Sequence, residues 1–261
     1  MPAHDLQLLT DAARQAGRIA TRYSGPTAKT WHKPGDLGPV TEADLAVNAM
    51  LHDTLTAARP TYGWLSEETE DTTTRLTRDR VFIIDPIDGT RSFIEGADTW
   101  AHSLAIAEHG QIIAAAVFLP LLDKLYTAAK GSGAFLNGEP IRASARTALI
   151  GASMLAAKPN YDARNWRGPV PDVTRAYRPS LAYRLSLVAE GRYDAMLTLR
   201  DSWEWDIAAG DLILQEAGAI TSDKRGHPLR FNNPRPMVKG VIAAGPAVHH
   251  DLTQHLAQWP G

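Results

Sequence analysis

Residues 81–90 read Val-Phe-Ile-Ile-Asp-Pro-Ile-Asp-Gly-Thr, an apolar run that ends in two closely spaced carboxylates. Four successive apolar residues bounded by charge predict a strand. Pro86 cannot extend a ladder of backbone hydrogen bonds, and Gly89 permits a tight turn. The stretch therefore predicts that Asp85 and Asp88 meet where a strand ends at the edge of a sheet and a helix begins.

Other acidic residues are placed to join these two carboxylates. Glu67-Glu68 follows a short predicted strand, Asp206 begins a predicted helix, and Asp44 lies in the first turn of another helix, on its apolar face. Carboxylates that are buried together repel each other unless a cation or a proton lies between them. Because oxygen ligands without cysteine or histidine suit Mg²⁺ or Mn²⁺ better than zinc, the acids predict a site for a hard divalent cation.

Each acidic group also has a purely structural interpretation. Glu67-Glu68 is typical of solvated surface, and Asp206 could cap a helix. Thr41 and Asp44 have the spacing of a capping box, which taken alone is the favoured interpretation. The functional hypothesis depends on all of these groups occurring together with the Asp85–Asp88 pair.

Composition excludes several classes of protein. The chain has 261 residues with 27 Lys and Arg against 29 Asp and Glu, a formal net charge of −2, so no basic excess exists to bind a nucleic acid polymer. The absence of cysteine excludes disulfides, thiolate zinc sites and a cysteine nucleophile. Residues 5–22 predict an amphipathic helix rather than a secretion signal, and no apolar run approaches the ~18 residues of a membrane span. A cytoplasmic protein without a membrane partner is expected.

Helical and strand patterns are mixed along the chain, which predicts an α+β or layered α/β fold. A proline-containing connector at 157–179 and helices at 181–190 and 206–217 follow a series of strands. We place a boundary near residue 145. Residues 1–145 form an N-terminal α+β lobe with most of the acids, and residues 146–261 form a C-terminal α/β lobe that contributes Asp206 and substrate contacts.

At these residues the sequence resembles the inositol monophosphatase family of metal-dependent, lithium-sensitive phosphomonoesterases. The matching motifs are Asp85–Thr90, Trp205–Gly210, Val40–Asp44, Glu67-Glu68 and Gly131–Gly138, in the family's order and at similar spacings. The resemblance implies a layered α-β-α-β-α sandwich in which the two lobes form one tightly joined unit. It also implies a homodimer that acts on a small phosphorylated substrate.

The resemblance implies a set of metal ligands for two or three Mg²⁺ ions, with Mn²⁺ as a possible substitute. Glu67, Asp85 and the backbone carbonyl of Ile87 would hold a first ion. Asp85, Asp88 and Asp206 would hold a second. Asp44 and Glu67 would bind water around a third, weaker ion.

The resemblance also implies how substrate and water are held. Thr90, acting with Glu67 and Asp44, would orient the attacking water. The backbone N–H groups of Gly89 and Thr90 would receive the phosphate, and the reaction would be an in-line attack on phosphorus without a phosphoenzyme. Lys33 would add an electrostatic contact.

The choice of substrate remains open between branches of the family. At the position where inositol-directed members commonly have a glutamate that binds ring hydroxyls, this sequence has Leu199, followed by Arg200. Residues 180–191 and 204–206 look more like the bacterial 3′(2′),5′-bisphosphate nucleotidases, which remove the 3′-phosphate of 3′-phosphoadenosine 5′-phosphate. Arg178, Arg184 or Arg200 could then bind the 5′-phosphate.

Three alternatives stand beside the nucleotidase. Inositol-1-monophosphatase ranks second and histidinol-phosphate phosphatase third. The chain departs from the nucleotidase pattern at Pro179-Ser180, where that branch usually has Gly-Ser. A non-catalytic metal- or phosphate-binding regulator is the alternative from another class, and it is disfavoured because the expected acids and Thr90 are all present.

Overall fold

The earlier part of the chain is built around a large sheet. The structure, a computed structural model, describes residues 2–23, 27–33, 35 and 38–257. Within these residues the sheet has seven strands that lie in sequence order: β3 (Gly63–Ser66), β4 (Arg80–Asp88), β5 (Ala101–Glu108), β6 (Gln111–Leu119), β7 (Lys124–Ala129), β8 (Ala134–Leu136) and β9 (Glu139–Pro140). β3 and β4 are parallel, and each later neighbouring pair is antiparallel.

Two helices, α1 (Pro2–Ala20) and α2 (Glu42–Ala58), cover one face of this sheet. Phe82 and Ile84 of β4 pack in the same apolar cluster as both helices, whereas Val81 and Ile83 point into the cluster on the opposite face. Successive side chains of a strand point to opposite faces, so residues 81–84 of β4, which are covered on both faces, are apolar at every position. This two-sided burial explains the unbroken apolar run that begins the 81–90 stretch.

The opposite face of the sheet packs against α4 (Leu181–Ala189) and α5 (Glu204–Glu216). The two helices approach closely at Gly210, where a Cβ atom would lie 2.5 Å from the side chain of Leu185. Only glycine fits at such a contact. The predicted helix 206–217 begins at Asp206, whereas α5 begins two residues earlier, at Glu204. Asp206 therefore lies in the first turn of the helix and not at its first position.

A second sheet follows beyond α4 and α5. Its strands are, in spatial order, β11 (Thr174–Ala176), β10 (Ser153–Ala156), β12 (Ala195–Thr198), β16 (Val241–Ala244) and β14 (Ile220–Ser222). A final helix, α6 (Pro246–His255), packs on the outer face of this sheet, against Met154, Leu197 and Ile242. The layers are therefore α-β-α-β-α, which confirms the predicted fold class.

Short elements complete the chain. β1 (Thr30–His32) pairs with β2 (Pro39–Thr41), β13 (Ser202–Trp203) pairs with β15 (Met237–Val238), and α3 (Thr90–Ile94) follows β4. Strands of the first sheet end at Pro140 and those of the second begin at Ser153, while the boundary near residue 145 stays a prediction. Among the described residues we find no helix with the length and hydropathy needed to span a membrane.

Candidate active site

A β-bulge at the end of β4 aims its two carboxylates at one cleft. Asp85 pairs with Ser103 and Asp88 pairs with Ala101, so Pro86 and Ile87 stand opposite the single residue 102 of β5. A bulge of this kind bends the strand and redirects its side chains. Asp85 and Asp88 consequently line the same cleft, as the 81–90 stretch predicts.

The backbone after the bulge turns sharply into α3. The amide of Ile87 donates to Asp85 Oδ1 at 3.0 Å. Gly89 has φ 98°, a left-handed conformation that suits glycine, and it directly precedes α3. The Gly89 and Thr90 amides therefore lie at the start of a short helix beside the carboxylates.

Three carboxylates from different elements converge in the cleft. One oxygen each from Glu67, Asp85 and Asp206 lies within 4.8 Å of the others. Glu67 follows β3, and its amide extends the ladder by donating to Ile84 of β4. The Ser103 hydroxyl donates to the Trp205 carbonyl at 2.8 Å, which fixes the first turn of α5 against β5 and so places Asp206.

Burial and mutual repulsion make these carboxylates hard to ionise together. Burial, followed by the charges of Glu67 and Asp88, raises the pKa of Asp85 well above its usual range, and burial beside Asp88 and Glu67 does the same for Asp206. A divalent cation would remove this repulsion. A set of carboxylate oxygens is the donor set that Mg²⁺ prefers, so the residues fit the predicted ion.

Asp88 is bound to the N-terminus of α4. Its Oδ2 accepts hydrogen bonds from the Ser180 hydroxyl and the Ala182 amide, both at 2.6 Å. Burial raises the pKa of Asp88 to about 6, although these two donors oppose the rise. Ser180 thus joins the site although no site motif contains it, and its position before a predicted helix is the one sequence signal for it.

Asp44 forms the capping box that the sequence favours, and its other carboxylate oxygen contacts Thr90. Its Oδ2 accepts from the Thr41 amide at 2.8 Å, completing the capping box of α2. Its Oδ1 accepts from the Thr90 hydroxyl at 3.3 Å, and that hydroxyl also lies 3.1 Å from the Ile87 carbonyl oxygen. Burial raises the pKa of Asp44 to about 6. Asp44 therefore lies behind Thr90 rather than in the cleft wall.

A lysine bridges the adjacent glutamates. Lys33 Nζ lies 2.7 Å from Glu67 Oε1 and 2.6 Å from Glu68 Oε1. Burial and the charge of Glu67 raise the pKa of Glu68 to about 7. Lys33 therefore neutralises part of the charge of these two glutamates, and its expected contact with the substrate stays a prediction.

The cleft has a volume of about 1030 Å³, and its outer wall carries the candidate substrate residues. Arg184 is buried, donates to the carbonyls of Arg178 and Pro179, and lies 4.3 Å above the ring of Tyr177. Arg200 is exposed and lines the cleft beside Leu199. Arg178 is not part of the wall that the described residues form.

The two tryptophans near Asp206 stack face to face. Their ring centroids are 4.7 Å apart; Trp205 is buried, whereas Trp203 is half-buried and lines the cleft. Trp205 therefore packs in the core, and Trp203 forms part of the cleft wall.

The sequence matches a known family model over most of its length. The model is that of the inositol monophosphatase family, and it matches residues 2–259. An inositol-1-monophosphatase of Rhizobium meliloti is 34% identical over 253 residues, covering 92% of this chain and 91% of the relative. The Nus factor SuhB of Escherichia coli is 33% identical, covering 91% of this chain and 94% of the relative.

Solved structures agree with this similarity. An IMPase of Thermotoga maritima superposes with a TM-score of 0.81 at 29% identity, covering 97% of this chain and 96% of the other. The extragenic suppressor protein suhB of Bartonella henselae superposes with a TM-score of 0.80 at 30% identity, covering 96% and 97%.

Proposed function

Since the chain belongs to the inositol monophosphatase family and is a metal-dependent phosphoric monoester hydrolase, we propose that it removes the 3′-phosphate of 3′-phosphoadenosine 5′-phosphate. The observation that carries this choice is the outer wall of the cleft. It is lined by the buried Arg184 and the exposed Arg200, and Leu199 occupies the position where the resemblance implies a glutamate in inositol-directed members. A guanidinium group binds phosphate better than it binds the hydroxyls of an uncharged ring.

Inositol 1-phosphate is the second candidate. It is favoured by the name of the Rhizobium meliloti relative at 34% identity, and no similar protein described above is named a nucleotidase. The two candidates differ in charge away from the reacting phosphate, which makes them separable by a single arginine substitution.

The acidic residues would hold Mg²⁺ in the sets that the resemblance implies. Glu67, Asp85 and the Ile87 carbonyl form one set, and Asp85, Asp88 and Asp206 form the other. Mg²⁺ bound there supplies positive charge for the phosphate oxygens and lowers the pKa of a coordinated water. The convergence of Glu67, Asp85 and Asp206 within 4.8 Å supports this assignment.

Thr90 and Asp44 would orient the attacking water. A threonine hydroxyl has one proton to give and can accept as well. If it donates to Asp44 Oδ1 at 3.3 Å, its oxygen lone pairs face away from the carboxylate and can accept a hydrogen bond from a water. Asp44 is fixed in turn by the Thr41 amide, so the pair is held rigidly.

The remaining groups would hold the substrate. The amides of Gly89 and Thr90 would donate to the phosphate, and Arg200 would reach the second phosphate from the exposed side of the cleft. Arg184 already donates to two backbone carbonyls, so it would act as a fixed positive charge and as a support for the 178–179 backbone.

A turnover panel with a matched pair of arginine variants tests the substrate. The panel compares 3′-phosphoadenosine 5′-phosphate, inositol 1-phosphate, histidinol phosphate and fructose 1,6-bisphosphate in Mg²⁺. Arg200→Ala should raise KM about tenfold or more for the bisphosphate nucleotide and leave inositol 1-phosphate nearly unchanged. Arg178→Ala, which changes an arginine outside the cleft wall, is the control. A wild-type preference for inositol 1-phosphate would establish the second candidate instead.

The homodimer and the cytoplasmic location that the sequence analysis expects stay predictions. Sedimentation of the purified protein tests the first of them.

A further inference from the structure

A buried histidine stands opposite the bulge that carries the site. His102 lies in β5 between the partners of Asp85 and Asp88, so it faces Pro86 and Ile87 across the strand pair. Its side chain is fully buried, with ring centroids 5.4 Å from Trp100 and 6.4 Å from Phe118. Its Nδ1 is hydrogen-bonded to the carbonyl oxygen of Pro86.

The identity of the acceptor fixes the tautomer of this imidazole. A carbonyl oxygen can only accept, so Nδ1 carries the proton. Burial lowers the pKa of His102 to about 4, which keeps the ring neutral. Nε2 then has a lone pair only, and within the described residues it has no hydrogen-bond partner. The one donor of this side chain therefore serves the Pro86 carbonyl.

The bulge needs such a donor. An extra residue in a strand leaves a carbonyl that the neighbouring strand cannot pair, and a buried polar atom without a partner costs about 1–3 kcal/mol. Pro86 also lacks an N–H of its own. The next residue is held by contacts within the loop, because the Ile87 amide donates to Asp85 and Thr90 lies 3.1 Å from the Ile87 carbonyl. His102 supplies the contact from the adjacent strand.

We propose that His102 is a positioning residue for the metal ligands. By holding the Pro86 carbonyl in the bulge, it sets the direction of the Ile87 carbonyl and the separation of Asp85 from Asp88. This inference rests on the proposed function, since it assumes that those oxygens bind Mg²⁺. Groups that orient metal ligands through hydrogen bonds, without touching the metal themselves, typically contribute about 10- to 100-fold to metal affinity or activity.

Three substitutions separate the hydrogen bond from the shape of the side chain. Asparagine places its amide nitrogen where histidine has Nδ1, so His102→Asn keeps the donor. His102→Gln places its nitrogen one bond further out, and His102→Leu fills the space without a donor. We expect calorimetric titration with Mg²⁺ alone to show binding about tenfold weaker for the Gln and Leu variants. The Asn variant should bind within about threefold of the wild type.

A second buried histidine provides the control. His249 of α6 is hydrogen-bonded to the Ser222 hydroxyl at 2.8 Å and does not line the cleft. His249→Gln should lower the melting temperature without changing Mg²⁺ affinity. The same result for His102→Gln would show a structural role only.

The outcomes distinguish this inference from the function on which it rests. If the wild type binds no Mg²⁺, the proposed metal site fails. If the wild type binds Mg²⁺ and the Asn and Gln variants bind equally well, the positioning role is overturned while the metal site stands. If the Leu variant does not fold, the Asn and Gln pair decides. Failure of all three variants to fold would assign the hydrogen bond to folding and overturn the proposal.

Discussion

Replacing Asp88 by asparagine is expected to stabilise the metal-free protein while abolishing turnover. Asp88 is buried, and Oδ2 accepts from Ser180 and Ala182. Asparagine has nearly the shape of a protonated carboxyl group and keeps an oxygen for these donors. The substitution therefore removes the charge that repels Asp85 and Asp206 and preserves the packing.

The magnitude follows from the pKa of Asp88. The rise from 3.8 to about 6 corresponds to about 3 kcal/mol when the carboxylate is fully ionised. For a chain of this length, a gain of 2–3 kcal/mol raises the melting temperature by about 5 °C.

The dependence on pH gives the prediction its sign. The pKa of Asp88 is higher in the folded protein than in the unfolded chain, so protonation favours folding. That stability is fully present below pH 3.8 and is lost as the pH rises through 6. The advantage of Asp88→Asn should therefore be largest at pH 8 and fall to about half at pH 5.

Thermal melts in EDTA at pH 5 and pH 8 provide the assay. Asp194→Asn is the control, because hydrogen bonds from Ser144 and Ser153 outweigh partial burial and lower the pKa of Asp194. It should lower the melting temperature at pH 8, opposite in sign to Asp88→Asn. Mg²⁺ should stabilise the wild type and have little effect on Asp88→Asn. A lower melting temperature for Asp88→Asn at pH 8, or an equal gain at both pH values, would refute the reasoning.

Three further predictions concern turnover. Thr90→Ala should lower kcat about 10²-fold, because the threonine hydroxyl orients water, and Thr90→Ser should keep most of the rate. Normal turnover by a Thr90→Ala variant with a lowered melting temperature would leave Thr90 only a structural role. EDTA should abolish activity, and added Mg²⁺ should restore it. Ca²⁺ should inhibit, because it does not adopt compact octahedral geometry. Full activity after exhaustive chelation would exclude the metal mechanism. Glu67→Gln should lower kcat far more than Glu68→Gln, because only Glu67 converges with Asp85 and Asp206; the reverse order would show that the two glutamates are wrongly assigned.

The residues of the site were predictable from the sequence where a single motif contains both the turn-forming residues and the carboxylates. Asp85, Asp88 and Gly89 follow an apolar strand directly, so the sequence places them at its end, and they line one cleft. Glu67 joins them because β3 is the parallel neighbour of β4. Asp206 was a candidate from its place near the start of a predicted helix, but only the family resemblance assigned it to the metal, since no local pattern indicates which helix faces a sheet edge.

Residues that support the site through hydrogen bonds, without belonging to a motif, could not be recognised from the sequence. His102 lies in an apolar strand and bonds a carbonyl, so its residue type alone suggested ordinary core packing. Ser180 precedes a helix as a normal cap, although its hydroxyl also reaches Asp88. His249 of α6 is likewise buried, because Ser222 supplies a hydrogen-bond partner from another element.

The second sheet was the part of the fold that sequence patterns missed. Its strands β10, β12 and β16 have four residues each, too few to show a period, and both faces are covered. The predicted connector 157–179 contains β11, whose pairing with β10 spans many residues. Local sequence does not report such pairing.

The packing of α4 and α5 on the first sheet has a consequence for synthesis on the ribosome. About a hundred residues separate the end of β6 from the end of α5, and translation at roughly 5–20 residues per second takes about 5–20 s to produce them. α4 is made after about 70 of these residues; until then the face of the sheet that includes Val81, Ile83 and Val117 has no helix to cover it, and it lacks α5 throughout the interval. The nascent chain therefore exposes a broad apolar surface at a stage when Asp206 has not yet been made, and chaperone binding should be strongest in this window.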